Sequence, residues 1–142
     1  MKYYIFLLIT YIFLVGCDKE PTLEQQRIVN QLIQEQIDIP YKEPNWNNAA
    51  KDILSKNGET VKEEKERNKK LHTEIHNFLL ALKNKTYKVK QEWAINHLEQ
   101  TIDQWESTLK SLEKPLDNSD KGNKEIILLF EQRKEWLATL KE

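Results

Sequence analysis

Beyond residue 20, apolar side chains return every three or four positions, the spacing of amphipathic helices. Ile28, Val29, Leu32, Ile33 and Ile37 fall on one helical face. Thr22 and Gln25 stand ahead of them at capping-box spacing and Pro40 lies beyond, so a first helix is expected from Thr22 to just before Pro40. Residues 40–48 carry two prolines and read as a partly extended connector, which Tyr41 and Trp46 dock onto the domain. A short helix is expected from Ala49 to Lys56, closed by Asn57-Gly58, a pair suited to a left-handed cap. Thr60 and Glu63 repeat the capping-box spacing, and the next helix runs to Leu82. Its first half, Lys62 to Lys70, is almost wholly charged and predicts a solvated face. Its second half carries an apolar stripe of Leu71, Ile75, Phe78, Leu79 and Leu82. Asn84-Lys85-Thr86 reads either as a turn or as part of a continuing helix.

The clearest pattern follows. Ile95, Leu98, Ile102, Trp105, Leu109 and Leu112 step alternately by three and four, a heptad seam of the coiled-coil type, and Pro115 ends it. Leu116 to Asn123 is a polar loop, and a last helix over Lys124–Leu140 carries Ile126, Leu129, Phe130, Trp136, Leu137 and Leu140. Four long amphipathic helices with short links predict an all-α, four-helix-bundle-like domain over residues 22–142, with one extra short helix. The seam is expected to be buried within the chain, giving a monomer.

Composition narrows the class. Three glycines leave few tight turns, which disfavours an all-β domain, whereas Lys, Glu, Gln and Leu are good helix formers. Basic and acidic side chains number 22 and 23, so the chain has no electrostatic footprint for nucleic acid and no polybasic membrane arm.

The N-terminus has a different character. Met1-Lys2 precedes an apolar run from Tyr3 to Val15, shorter than the roughly 20 residues of a spanning helix and suited to the core of a signal peptide. The run ends in Leu14-Val15-Gly16-Cys17, with the only cysteine of the chain. This segment resembles the lipobox of bacterial lipoproteins: an aliphatic residue three before the cysteine and a small residue just before it. The resemblance implies cleavage between Gly16 and Cys17, a diacylglyceryl group on the Cys17 thiol, and acylation of the new amine. Residues 1–16 would then be a signal peptide and residues 17–21 a lipid-anchored tether. The other reading is an uncleaved, short N-terminal anchor, which also places the domain outside the cytoplasm. Loss of residues 1–16 removes Lys2 and leaves a net charge of −2. In enterobacterial lipoproteins an aspartate after the cysteine resembles an inner-membrane retention signal, so Asp18 favours the periplasmic face of the inner membrane over the outer membrane. The four residues Asp18 to Pro21 reach about 13 Å when extended, which keeps the domain close to its membrane.

Candidate chemistry in the domain is sparse. His72 and His76 are spaced to share a metal ion on one helical face. Glu74 is out of position for a zincin motif, and two surface histidines is the simpler reading, so no metal is assigned. Trp93 points roughly 150° from the centre of the seam, together with Val89. Either the connector covers it through Tyr41 or Trp46, or Val89 and Trp93 belong to an exposed anchor for a partner. Arg133 interrupts the last apolar stripe. It either lays its stem along apolar surface with a wet head, or meets a carboxylate within the bundle or on another protein. Val89, Trp93, Trp46 and Arg133 are therefore the candidate partner-binding residues. None of the four serines sits in a glycine-flanked elbow, and no phosphate-binding or dinucleotide fingerprint occurs, so neither catalysis nor a cofactor is expected.

The expectation is a lipid-anchored, extracytoplasmic protein-binding module. Its first form is an immunity or exclusion inhibitor acting at the membrane surface. Its second is a pilotin- or chaperone-like assembly lipoprotein for an envelope or secretion complex.

Overall fold

In a computed structural model, described for residues 19–117 and 119–142, five helices succeed one another: α1 (Leu23–Ile37), α2 (Asn48–Lys56), α3 (Val61–Lys83), α4 (Tyr87–Lys110) and α5 (Lys121–Lys141). No strand occurs among the described residues. The apolar run, the lipobox-like segment with Leu14, Gly16 and Cys17, and Asp18 lie outside the described residues. No helix among those described is long and apolar enough to cross a membrane.

Local chemistry sets the helix ends. The two capping boxes form as spaced. Gln25 N–H donates to Thr22 Oγ1 at 3.1 Å while Thr22 N–H donates to Gln25 Oε1 at 3.0 Å, and Thr60 and Glu63 repeat the exchange. Asn47 caps α2 through the Ala50 N–H at 2.9 Å. Gly58 takes φ +73°, the left-handed turn that closes α2. The segment Asn84-Lys85-Thr86 is a turn, so α3 and α4 are separate helices. The last helix begins three residues earlier than its apolar pattern suggests, because Asp120 accepts the Asn123 N–H at 3.1 Å and captures the extra turn.

Helices α1, α3, α4 and α5 form the bundle. At one end, Gln25 and Gln91 donate to the Thr139 and Leu140 carbonyls of the last turn of α5, at 3.0 and 2.9 Å. These two bonds satisfy acceptors that a helix terminus leaves open. Lys83 meets Gln34 and Lys90 meets Asn30, which fixes α1 against the α3–α4 turn. The core collects Ile28, Val29, Leu32 and Ile33 of α1, Leu79 and Leu82 of α3, Ala94, Leu98 and Ile102 of α4, and Trp136 and Leu140 of α5. Leu54 of α2 is buried apart from this cluster.

The core covers only part of the expected stripes. On α3, Leu79 and Leu82 are buried, but Leu71, Ile75 and Phe78 are half exposed to solvent. On α4 the buried line runs through Ala94, Leu98 and Ile102, while Ile95, Trp105 and Leu109 are half-buried and Leu112 is exposed. For the upper part of α4 the cause is unequal length; Ile75 and Phe78 of α3 lie at the level that the end of α1 reaches and are exposed for another reason. α1 has 15 residues, against 23, 24 and 21 for its bundle partners. Pro40 and the extended connector end α1 where the other helices continue.

The connector runs along the upper half of α3. The Ile39 carbonyl meets His72 Nε2 at 3.2 Å, Tyr41 rests edge-on against the His72 ring, and Glu43 pairs with Lys65. The charged run of α3 is largely exposed, with Lys65 half-buried beside Glu43.

Candidate functional site

The feature best suited to binding lies beyond the end of α1, between the C-terminal half of α4 and the N-terminal half of α5. Trp105, Thr108, Leu109, Leu112, Leu116, Ile126 and Leu129 line a cavity of about 540 Å³ that opens to solvent. Its walls continue the stripes that build the core. Leu129, Arg133, Trp136 and Leu140 follow one another at steps of four, three and four on α5, and Leu98, Ile102, Trp105, Leu109 and Leu112 do so on α4. Below, α1 fills the space between these stripes. Above, nothing among the described residues does, and Leu112, Ile126 and Leu129 stand 41%, 47% and 39% exposed. Trp105 leans on Phe130 across the helix pair with ring centroids 6.0 Å apart. The single hydroxyl of the lining is spent: Thr108 Oγ1 donates to the Gln104 carbonyl at 2.9 Å. Apart from Thr108 and the Trp105 indole N–H the lining is apolar, and an occupant gains chiefly from burial of apolar surface.

At the lower edge of this groove sits Arg133. Its Nη2 donates to Glu35 of α1 at 2.6 Å, and its guanidinium lies 4.3 Å above the Trp136 ring. The side chain keeps only 13% of its exposure. Of the two sequence readings, the carboxylate within the bundle is the one realised, and the charge is engaged inside the chain. Nη1 is buried without a hydrogen-bond partner.

The other candidates are separated from this groove. Val89 is exposed on α4, whereas Trp93, one turn on, is half-buried against the core and stacked on His97 at 5.0 Å. Its aromatic partner among the described residues is thus His97, not Tyr41 or Trp46, because the connector turns to α3. Trp46 is half-buried, with Nε1 shielded from solvent and unbonded. Burial, reinforced by the nearby Arg133 charge, pushes the His97 imidazole below its ordinary value.

His72 and His76 stack with centroids 6.4 Å apart beside a smaller cavity of about 230 Å³ that Gln36, Ile39, Ile75 and Leu79 also line. His72 already spends Nε2 on the Ile39 carbonyl. Among the described residues no group of three or more His, Cys, Asp or Glu side chains is placed to hold a metal ion.

The groove was not singled out from the sequence, where Leu109 and Leu112 read as a buried seam. The signal that could have found it is helix length: the span between Thr22 and Pro40 is too short to cover a helix ending at Pro115. Comparison with family models, curated proteins and solved structures finds no match to this chain.

Proposed function

We propose that this chain is a lipid-anchored, extracytoplasmic binding module that captures an apolar segment of another protein at the membrane surface. The observation that carries the reading is the open groove between α4 and α5, walled by carbon and continuous with the core. The anchoring rests on the lipobox-like Leu14-Val15-Gly16-Cys17, and Asp18 favours the inner membrane. In its first form the module is an immunity or exclusion inhibitor that sequesters an incoming protein. The second form, a pilotin- or chaperone-like assembly lipoprotein, draws support from the same groove, since a slot between two helices suits holding a partner's apolar segment during delivery.

The test is crosslinking in the native envelope followed by pull-down, with Cys17→Ala, Trp93→Ala and Leu109→Glu alongside. The expected result is a specific protein partner lost with Leu109→Glu and retained with Trp93→Ala, and a chain released from the membrane fraction by Cys17→Ala. A toxin or mobile-element protein among the captured species selects immunity, and a secretion or envelope subunit selects assembly. Recovery of no specific protein from an intact, membrane-bound chain defeats the binding reading.

A further inference from the structure

The groove has a shape that can be read from what fills its lower half. The stripes of α4 and α5 that wall it are the same stripes that, one to two turns lower, clasp α1 through Ile28, Val29, Leu32 and Ile33. α1 reaches the level of Arg133, where Glu35 closes the contact. Above that level α5 continues from Gln132 back to Lys121, about 18 Å of helix at 1.5 Å per residue. The slot for a third helix therefore extends past the end of the helix that occupies it, and Leu116, in the loop after α4, lines its far end.

Resting on the binding reading above, we infer that the occupant of the groove is an amphipathic helix of the partner protein, two to three turns long, laid end to end with α1. Its chemistry is that of α1: aliphatic residues at i, i+3, i+4 and i+8, the spacing of Val29, Leu32, Ile33 and Ile37, facing Trp105, Leu109 and Leu129. Two observations favour a helix over other occupants. The groove is the direct continuation of an interface that already holds a helix between α4 and α5. Its lining is almost wholly carbon, so backbone N–H and C=O groups that an extended strand turned toward the floor would find few partners there. A helix satisfies its own backbone and brings only side chains.

The experiment places a photoreactive amino acid at Leu112, in the groove, and separately at Leu80, exposed elsewhere on α3, in the full chain within its native envelope. Crosslinked sites on the partner are mapped by mass spectrometry. From Leu112 the expected sites fall on one protein, on neighbouring residues three or four apart on one helical face, and none arises from Leu80. Leu129→Lys abolishes them with the circular dichroism of the chain unchanged, and Leu129→Met keeps them. Crosslinks at every second residue, to lipid, or to a second copy of this chain overturn the inference. So does a silent Leu112 while the pull-down still recovers a partner, a result that leaves the binding reading standing. Loss of the pull-down partner altogether removes both.

Discussion

Arg133 and His97 show how much the surroundings of one side chain decide. Arg133 lies among the apolar residues of α5, and its charge is tolerable because Glu35 accepts from Nη2 and Trp136 offers a ring face. Removing the acceptor leaves a nearly buried donor unanswered. Glu35→Ala is therefore expected to cost about 1–2 kcal/mol, the lower part of the range for an orphaned buried donor, because Glu35 itself is one-third exposed. Arg133→Met, which removes the charge but keeps the stem, should stay within about 1 kcal/mol of the parent. Urea unfolding of both variants checks the order. His97 gives a pH dependence of defined sign. Burial first, and the Arg133 charge second, hold its folded-state value below the ordinary 6.5. The unfolded chain thus takes up the proton before the folded one, so the contribution of neutral His97 is complete above that value and drains as pH falls below it. The thermal midpoint should drop as the pH is lowered from 7.5 to 5, and His97→Gln should flatten that slope. An unchanged slope in the variant would assign the dependence to other groups.

At the scale of elements, the paired helices α4 and α5 carry two kinds of apolar residue. Leu98 is 1% exposed in the core, whereas Leu129 is 39% exposed in the groove, although both belong to regular apolar stripes. Truncating Leu98 to Ala removes packed methyl groups and opens a cavity, an expected loss of about 2–5 kcal/mol. Truncating Leu129 to Ala removes contacts that are half made, and should cost less than about 1 kcal/mol in stability while weakening partner capture. Equilibrium unfolding and the crosslinking yield separate the two effects. Equal destabilisation would mean that the groove is closed in solution. The helix ends tell a complementary story. Thr22, Asn47, Thr60 and Asp120 each accept a backbone N–H at a start, so these boundaries follow from residues three positions apart.

For the whole molecule, the short α1 is the deciding feature. A bundle whose four helices matched in length would bury the stripes of α4 and α5 throughout. Here the connector after Pro40 leaves the bundle axis and follows α3, pinned by His72 and Lys65. The α4–α5 pair therefore continues alone, with its apolar faces together and its open side toward solvent. The groove lies at the end of the bundle opposite the Gln25–Thr139 contact, and so away from the start of α1. If Cys17 carries the lipid, that arrangement presents the groove at the far end of the domain from the tether.

Helix positions, most boundaries and the all-α class were legible from the chain, because caps, proline stops and apolar spacing act over three to seven residues. Thr22 with Gln25, Gly58 and the seam of α4 are examples. What stayed out of reach depends on residues far apart in sequence. The partner of Arg133 lies 98 positions away, the ring that covers Trp93 belongs to its own helix and not to the connector, and Leu109 and Leu112 look no different in sequence from buried seam residues. Periodicity shows which face of a helix is apolar. Whether that face is covered depends on how far its neighbours reach, and only the assembled bundle shows that α1 stops short.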